Sequence, residues 1–276
     1  FSIIFLIILS ELLLKKFWSI NAIRKIIHIS VGTAVSFTPY FFFHNHKPVL
    51  LAFIFFIINF FSHGSNHFKS FHDIKRESYG TIFFPISYLL LAFLFWDYSN
   101  HITISFLILA IADPMASIIG ENVRCKVSFN ILGDNKTLQG SIAMFVCSLS
   151  IILILSDHFF YYWDIVYRLM AAIIISIAVT IAEAVSYKGS DNLSIPITAF
   201  LFIELLHHIY RDQIIFDNII YNLIIILILF IAFLRRHLSI SGLIGAIAMA
   251  IFLIGFGGNK YLCPLVIFFL TSSGLS

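Results

Sequence analysis

The chain has 276 residues, 60% hydrophobic and only 11% charged, with a mean hydropathy of +1.00. A soluble globular domain is about half apolar and about a quarter charged, so this composition excludes one and predicts a membrane protein. The net charge of +3 is spread over dispersed basic residues, which gives no nucleic-acid-binding face, and Cys125, Cys147 and Cys263 form neither a disulfide framework nor a CxxC metal pair.

In chain order, the opening FSIIFLIILSELLL has no small-residue cleavage site and reads as a truncated span rather than a signal peptide. Continuous apolar runs then recur at the length a helix needs to cross hydrocarbon. The expected spans are 1–14, 26–43, 48–62, 81–96, 102–120, 138–155, 169–186, 193–206, 218–234, 239–256 and 261–276. Continuous runs favour helices over the alternating strands of a barrel. The predicted fold class is therefore all-α, a polytopic transmembrane bundle of ten or eleven spans. Residues 1–210 form one membrane domain with a truncated start, and 211–276 a linker span and the beginning of a second, incomplete domain.

Alternate loops differ in charge. One set holds Lys15, Lys16, Arg24, Lys25, Lys69, Lys75, Arg76, Arg124, Lys126, Lys136, Lys188, Arg235 and Arg236, and the other only Lys47, Arg168, Arg211 and Lys260. The positive-inside rule puts the first set in the cytoplasm. The long polar loops 63–80, 121–137 and 187–192 fall in that set, so the chemistry is expected at the cytosolic face, where nucleotides are.

Five segments carry chemistry-bearing residues. RKIIHISVG (24–32) places Arg24, Lys25 and His28 on one side of a helix, as membrane anchors or as a phosphate clamp. ADPMASIIG (112–120) puts Asp113 inside a span, where a carboxylate is costly, beside the helix-breaking Pro114 and the small Gly120. An aspartate there could hold Mg²⁺ through one carboxylate and several waters. GDNKTLQGS (133–141) brings Lys136, Thr137, Gly140 and Ser141 to a helix start, which favours an anion, although the GxxxxGK[ST] phosphate loop is absent. AEAVSYKGSDNLSIP (182–196) adds Glu183, Lys188, Gly189, Asp191 and Asn192. A helix cap explains 190–192 but not Glu183. His63, His67 and His72 lack a carboxylate partner at metal-site spacing. Two intramembrane carboxylates, several cations and two glycine loops at one face fit a magnesium–nucleotide site.

The order RKxxHxxxG, ESxGTxxFP, ADPxAxxxG, KTxxGSxAxF and EAxSxKGSDNLxxP, over roughly residues 20 to 210, resembles the dolichol kinase, phytol kinase and CTP-dependent diacylglycerol kinase family. The resemblance implies an integral membrane enzyme that phosphorylates a lipid alcohol, with CTP as donor and a divalent cation as cofactor. Relatives often carry a second glycine shortly after Gly120. This chain has Arg124 in that region. The tail 238–276, through Ser241, Gly242, Gly257 and Gly258, resembles the membrane family that contains plant phytyl-phosphate kinase.

The expected site therefore has Asp113, Glu183 and Asp191 as catalytic residues, with Asp113 and Asp191 as Mg²⁺ ligands. Arg24, Lys25, His28, Gly120, Lys136, Thr137, Gly140, Ser141, Lys188, Gly189 and Asn192 would bind nucleotide. Expected partners are a lipid alcohol, a nucleotide and the bilayer, and no nucleic acid. The rival enzyme is a phosphatidate cytidylyltransferase, although its fuller HxGxxDRxD pattern is missing. A transporter would place its charges on broken helices in repeated halves, and no such repeat is evident.

Overall fold

A computed structural model describes residues 20–63, 79–131 and 134–212, with isolated positions 249, 253 and 264. Two compact units divide the chain, Phe1–Phe202 and Ile203–Ser276. In the second, Glu204 and His208 pair one helical turn apart at 3.0 Å. The first carries every residue of the expected site.

The elements are α1 (Ile20–Ser36), α2 (Thr38–Phe41), α3 (His46–His63), α4 (Gly80–Leu94), α5 (Ser99–Leu107), a π turn (Ile108–Ala112), α6 (Asp113–Asn122), β1 (Ser128–Asn130), β2 (Asn135–Thr137), α7 (Leu138–Phe159), α8 (Ile165–Ala184) and α9 (Asp191–Asp212). The two short strands pair antiparallel, Phe129 opposite Lys136. The other elements are helical, as the continuous apolar runs predict.

The rod α5–π–α6, Ser99–Asn122, is the centre of the bundle. Ile102, Ile104, Phe106, Ile108, Leu109 and Ala110 are fully buried. A helix enclosed on all sides belongs in the middle of a bundle. α1 packs along it on one flank and α7 on another, and α8 packs on α7. Hydroxyls tie the layers together. Thr103 donates to the Ser36 carbonyl (3.0 Å), Thr38 and Tyr88 bond at 2.5 Å, and Ser87 donates to the Asn192 carbonyl (2.9 Å). Exposed Ile, Leu and Phe side chains on α3, α4, α7 and α8 give the outside an apolar surface suited to lipid.

The span count differs from expectation. Four helices among the described residues are long and apolar enough to cross a bilayer: Ser99–Asn122, Leu138–Phe159, Ile165–Ala184 and Asp191–Tyr210. His46–Ser62 and Gly80–Leu94 are apolar but shorter. The expected span 26–43 is broken, because Pro39 cannot continue the hydrogen-bond ladder of α1 and sits instead in the first turn of the separate four-residue α2. The runs 1–14, 218–234, 239–256 and 261–276 lie outside the described residues. Ten or eleven spans are thus not what the described structure contains.

Candidate active site

Four elements deliver polar groups to one end of the bundle. α1 begins there, α6 ends there, the β1–β2 hairpin leads there into α7, and the α8–α9 turn closes it. Hydrogen bonds fix the arrangement. Tyr79 N–H, just before α4, donates to the Lys188 carbonyl at 2.9 Å, and the Lys188 N–H donates to Asp134 Oδ2 at 3.0 Å. Residue 188 is thus held through both its N–H and its carbonyl. It needs to be, because Lys188 has φ +48° and Gly189 φ +87°. A non-glycine residue rarely adopts the left-handed region unless its surroundings impose it. The left-handed backbone is the physical reason for Gly189 in YKGSDN, while Lys188 is held there by its two backbone hydrogen bonds.

The centre of the site is Lys136. Its ammonium donates to Glu183 Oε1 at 2.5 Å and to Ser186 Oγ at 3.0 Å, and lies 3.9 Å from Asp191 Oδ2. Glu183 is buried, and its second oxygen, Oε2, is enclosed with no hydrogen-bond partner among the described residues. Asp113 joins this group from the central rod. Asp191, Lys136, Glu183 and Lys25 all act on its carboxylate through space. The Asp113 Oδ2 atom is 3.9 Å from His28 Nε2. Glu183 and Asp191, from two different helices, converge on the Lys136 ammonium, and Asp113, from a third, stands within electrostatic range of them while its nearest partner is His28.

Other expected residues have local duties. Thr137 caps α7, its hydroxyl accepting the Gly140 N–H at 3.1 Å. Gly120 and Gly140 face each other where α6 crosses α7. A Cβ at Gly120 would stand 2.5 Å from Thr137 Oγ1, and one at Gly140 would stand 3.0 Å from the Ala116 carbonyl oxygen. Their lack of side chains is demanded by this crossing. Ser141 Oγ is enclosed and has no hydrogen-bond partner among the described residues. Asn192 spends its amide on the Gly189 carbonyl and on Asp191. Arg24 is exposed at the start of α1.

Asp191 is the first residue of α9, and the Ser190 carbonyl accepts the first helical bonds, from Leu193 and Ser194. Its Oδ1 takes the Asn192 N–H at 2.9 Å while Oδ2 faces Lys136. The side chain therefore does more than end a loop.

Three participants escaped the sequence reading. Glu121 binds Lys25 at 2.7 Å and accepts from Ser117 at 2.8 Å, which engages the lysine expected to clamp phosphate. Asp134 fixes Lys188, and Ser186, a motif position with no role assigned from sequence, holds Lys136. For Glu121 and Asp134 the available signal was position, each being a polar residue close to a motif residue at a helix or strand end. No group of three or more His, Cys, Asp or Glu side chains is arranged to hold a metal among the described residues.

No protein-family model matches the chain, and no solved structure does. The chain is similar to the phytol kinase of Synechocystis sp. (strain ATCC 27184 / PCC 6803 / Kazusa), 26% identical over 180 residues that cover 64% of this chain and 76% of the relative. This similarity supports the resemblance of the five motifs to the phytol and polyprenol kinase family.

Proposed function

We propose that this chain is a membrane kinase that transfers the γ-phosphoryl group of a nucleotide, CTP by family resemblance, to a long-chain lipid alcohol of the phytol or polyprenol type. The observation that carries the reading is the meeting of Asp113, Lys136, Glu183 and Asp191 at one end of the bundle. Ionisable groups in or beside a span are functional by default, and the named relative acts on phytol.

The carboxylates are oxygen donors of the kind a divalent cation takes, and Glu183 Oε2 is enclosed without a partner among the described residues, although no three of these side chains are grouped to hold a metal there. Asp113 and Asp191 would hold Mg²⁺ with waters and nucleotide phosphates completing its shell. Such an ion would neutralise charge on the phosphates.

In the transfer, the alcohol oxygen forms a bond to the γ-phosphorus as the bond to the bridging oxygen breaks. CDP leaves, and the alcohol proton passes to a carboxylate of this cluster. Phosphoryl transfer asks mainly for positioning and charge stabilisation. Lys136 keeps Glu183 and Asp191 in place, while Arg24 and Lys188 are the cations that meet phosphate, with Lys25 joining on release from Glu121. Gly189 sets the turn that brings the Lys188 backbone close. The 13-to-4 basic bias supports the cytosolic face for this end of a multi-pass protein.

The test is incubation of membranes containing the protein with labelled CTP or ATP and a panel of lipid alcohols. Lipid monophosphate with CDP released is expected. A CDP-lipid with pyrophosphate released would instead establish a cytidylyltransferase.

A further inference from the structure

A π turn pairs each carbonyl with the N–H five residues along, and such turns recur at functional sites. In the turn Ile108–Ala112 the partner due to the Leu109 carbonyl is Pro114, which has no N–H. His28 reaches that carbonyl from α1, with Nε2 3.2 Å from the oxygen. The same nitrogen is 3.9 Å from Asp113 Oδ2, and Phe84 stands edge-on to the ring at 6.2 Å. The approach depends on Gly32, one helical turn beyond His28. A Cβ there would stand 2.6 Å from Ala110 Cβ, so only glycine lets α1 come this close to the π turn.

We propose that His28 is a positioning residue: its Nε2–H donates to the carbonyl that Pro114 leaves bare, and so fixes the π turn that aims Asp113 into the carboxylate cluster. A carbonyl oxygen only accepts, so the donating hydrogen is on Nε2 and is spent there. That use competes with the phosphate contact the sequence suggests for this histidine. Only the kinetic half of the test rests on the proposed kinase function.

Two variants separate the roles. His28→Gln carries an amide N–H at about the reach of Nε2, and His28→Phe keeps the ring without the donor. In the detergent-solubilised full chain, His28→Phe should raise hydrogen exchange of amides 108–116 by ~10-fold or more, and His28→Gln should restore it. In turnover, His28→Phe should lower kcat by ~30-fold or more with the nucleotide KM within ~2-fold, and His28→Gln should recover most of the loss. Unchanged exchange in His28→Phe overturns the proposal. So does a His28→Gln variant as impaired as His28→Phe, or a raised nucleotide KM with kcat kept, which would return the imidazole to phosphate. If the wild type makes no lipid phosphate, the kinase reading falls while the exchange measurement still decides the latch. If His28→Phe does not accumulate in membranes, Pro114→Ala added to it supplies the missing N–H and should restore both abundance and protection. Failure of that rescue overturns the latch.

Discussion

The two ends of the first unit are built from the same helices and hold together by different physics. At one end, Lys136, Glu183, Asp191, Asp113 and His28 meet through ion pairs and hydrogen bonds. At the other, Phe160 and Trp163 stack at 4.4 Å, Tyr40 stacks on Phe159 at 6.3 Å, and Phe95, Tyr98 and His101 surround Phe200. Asp113 and Ser99 lie 14 residues apart on the central rod, roughly 20 Å at helical rise. The aromatic end is held by buried area and stacking, and its amphipathic rings suit the membrane–water boundary. The charged end leaves Glu183 Oε2 without a partner among the described residues, which is a cost that stability alone does not explain. Stability is therefore expected to reside at the aromatic end and turnover at the charged one.

Asp113→Asn is the strongest test of that division. Asparagine keeps shape and hydrogen bonding but removes the charge. Lipid-phosphate formation should fall by about 1000-fold or more, the scale of losing a key electrostatic group, with abundance in the membrane unchanged. Near-normal turnover would make Asp113 a packing residue and erase the contrast between the ends. Asp191→Ser should come next, with a loss of about 100-fold. Serine retains a small acceptor for the Asn192 N–H and suits a helix start, so a purely local role predicts a silent change. A variant that keeps most of its activity would reduce this stretch to helix punctuation.

Lys136→Met sharpens the comparison by mixing the two properties. It leaves a buried glutamate without its cation, which costs about 3–5 kcal/mol, so the protein should lose stability in detergent as well as turnover. Adding Glu183→Gln removes the stranded charge. The double variant should regain abundance and thermal stability and stay inactive. Recovery of activity in the double variant would show that the pair is structural. Trp163→Leu is the counterpart at the other end. Trp163 is buried, is stacked on Phe160 and lies edge-on to Tyr167. Its loss should cost about 3 kcal/mol, a fall in Tm on the order of 10 °C, with kcat and nucleotide KM unchanged below that temperature. A selective loss of kcat would mean that the aromatic end also governs chemistry.

The charged end was legible in the sequence as composition and the aromatic end was not. Asp113, Lys136, Glu183 and Asp191 stand out because a charge in an apolar chain is conspicuous. Pairings were out of reach. Nothing in residue type makes Lys136 choose Glu183 rather than phosphate, or Lys25 choose Glu121, because partner choice depends on which loops meet. The π turn was invisible as well, since ADP announces a helix break but not which carbonyl is left bare or that His28 covers it. Helix type was read correctly from continuous apolar runs. The break at Phe37–Thr38 was missed because Pro39 and Thr38 sit in a run otherwise dominated by aromatic residues. Phenylalanine reads alike whether it faces lipid or stacks, so Phe160 and Phe200 gave no warning that they are core.

The smallest expected effect lies between the two ends, where Gly32 crosses Ala110. Gly32→Ala would set its Cβ 2.6 Å from Ala110 Cβ, and neither group can swing away, so α1 must retreat from the π turn. Overpacking of this kind costs about 1–3 kcal/mol. The retreat also draws His28 off the Leu109 carbonyl, so turnover should fall along with stability. The reciprocal exchange, Gly32→Ala with Ala110→Gly, places one methyl group back in the crossing from the other side. It should return turnover to near the wild-type value and leave a stability deficit of about 1 kcal/mol from a glycine inside the central helix. Turnover and amide protection at 108–116 should recover together in the exchange variant. Recovery of stability without turnover would mean that the crossing only packs the bundle. The charged end would then be set by its own loops, independently of the rod that joins it to the aromatic end.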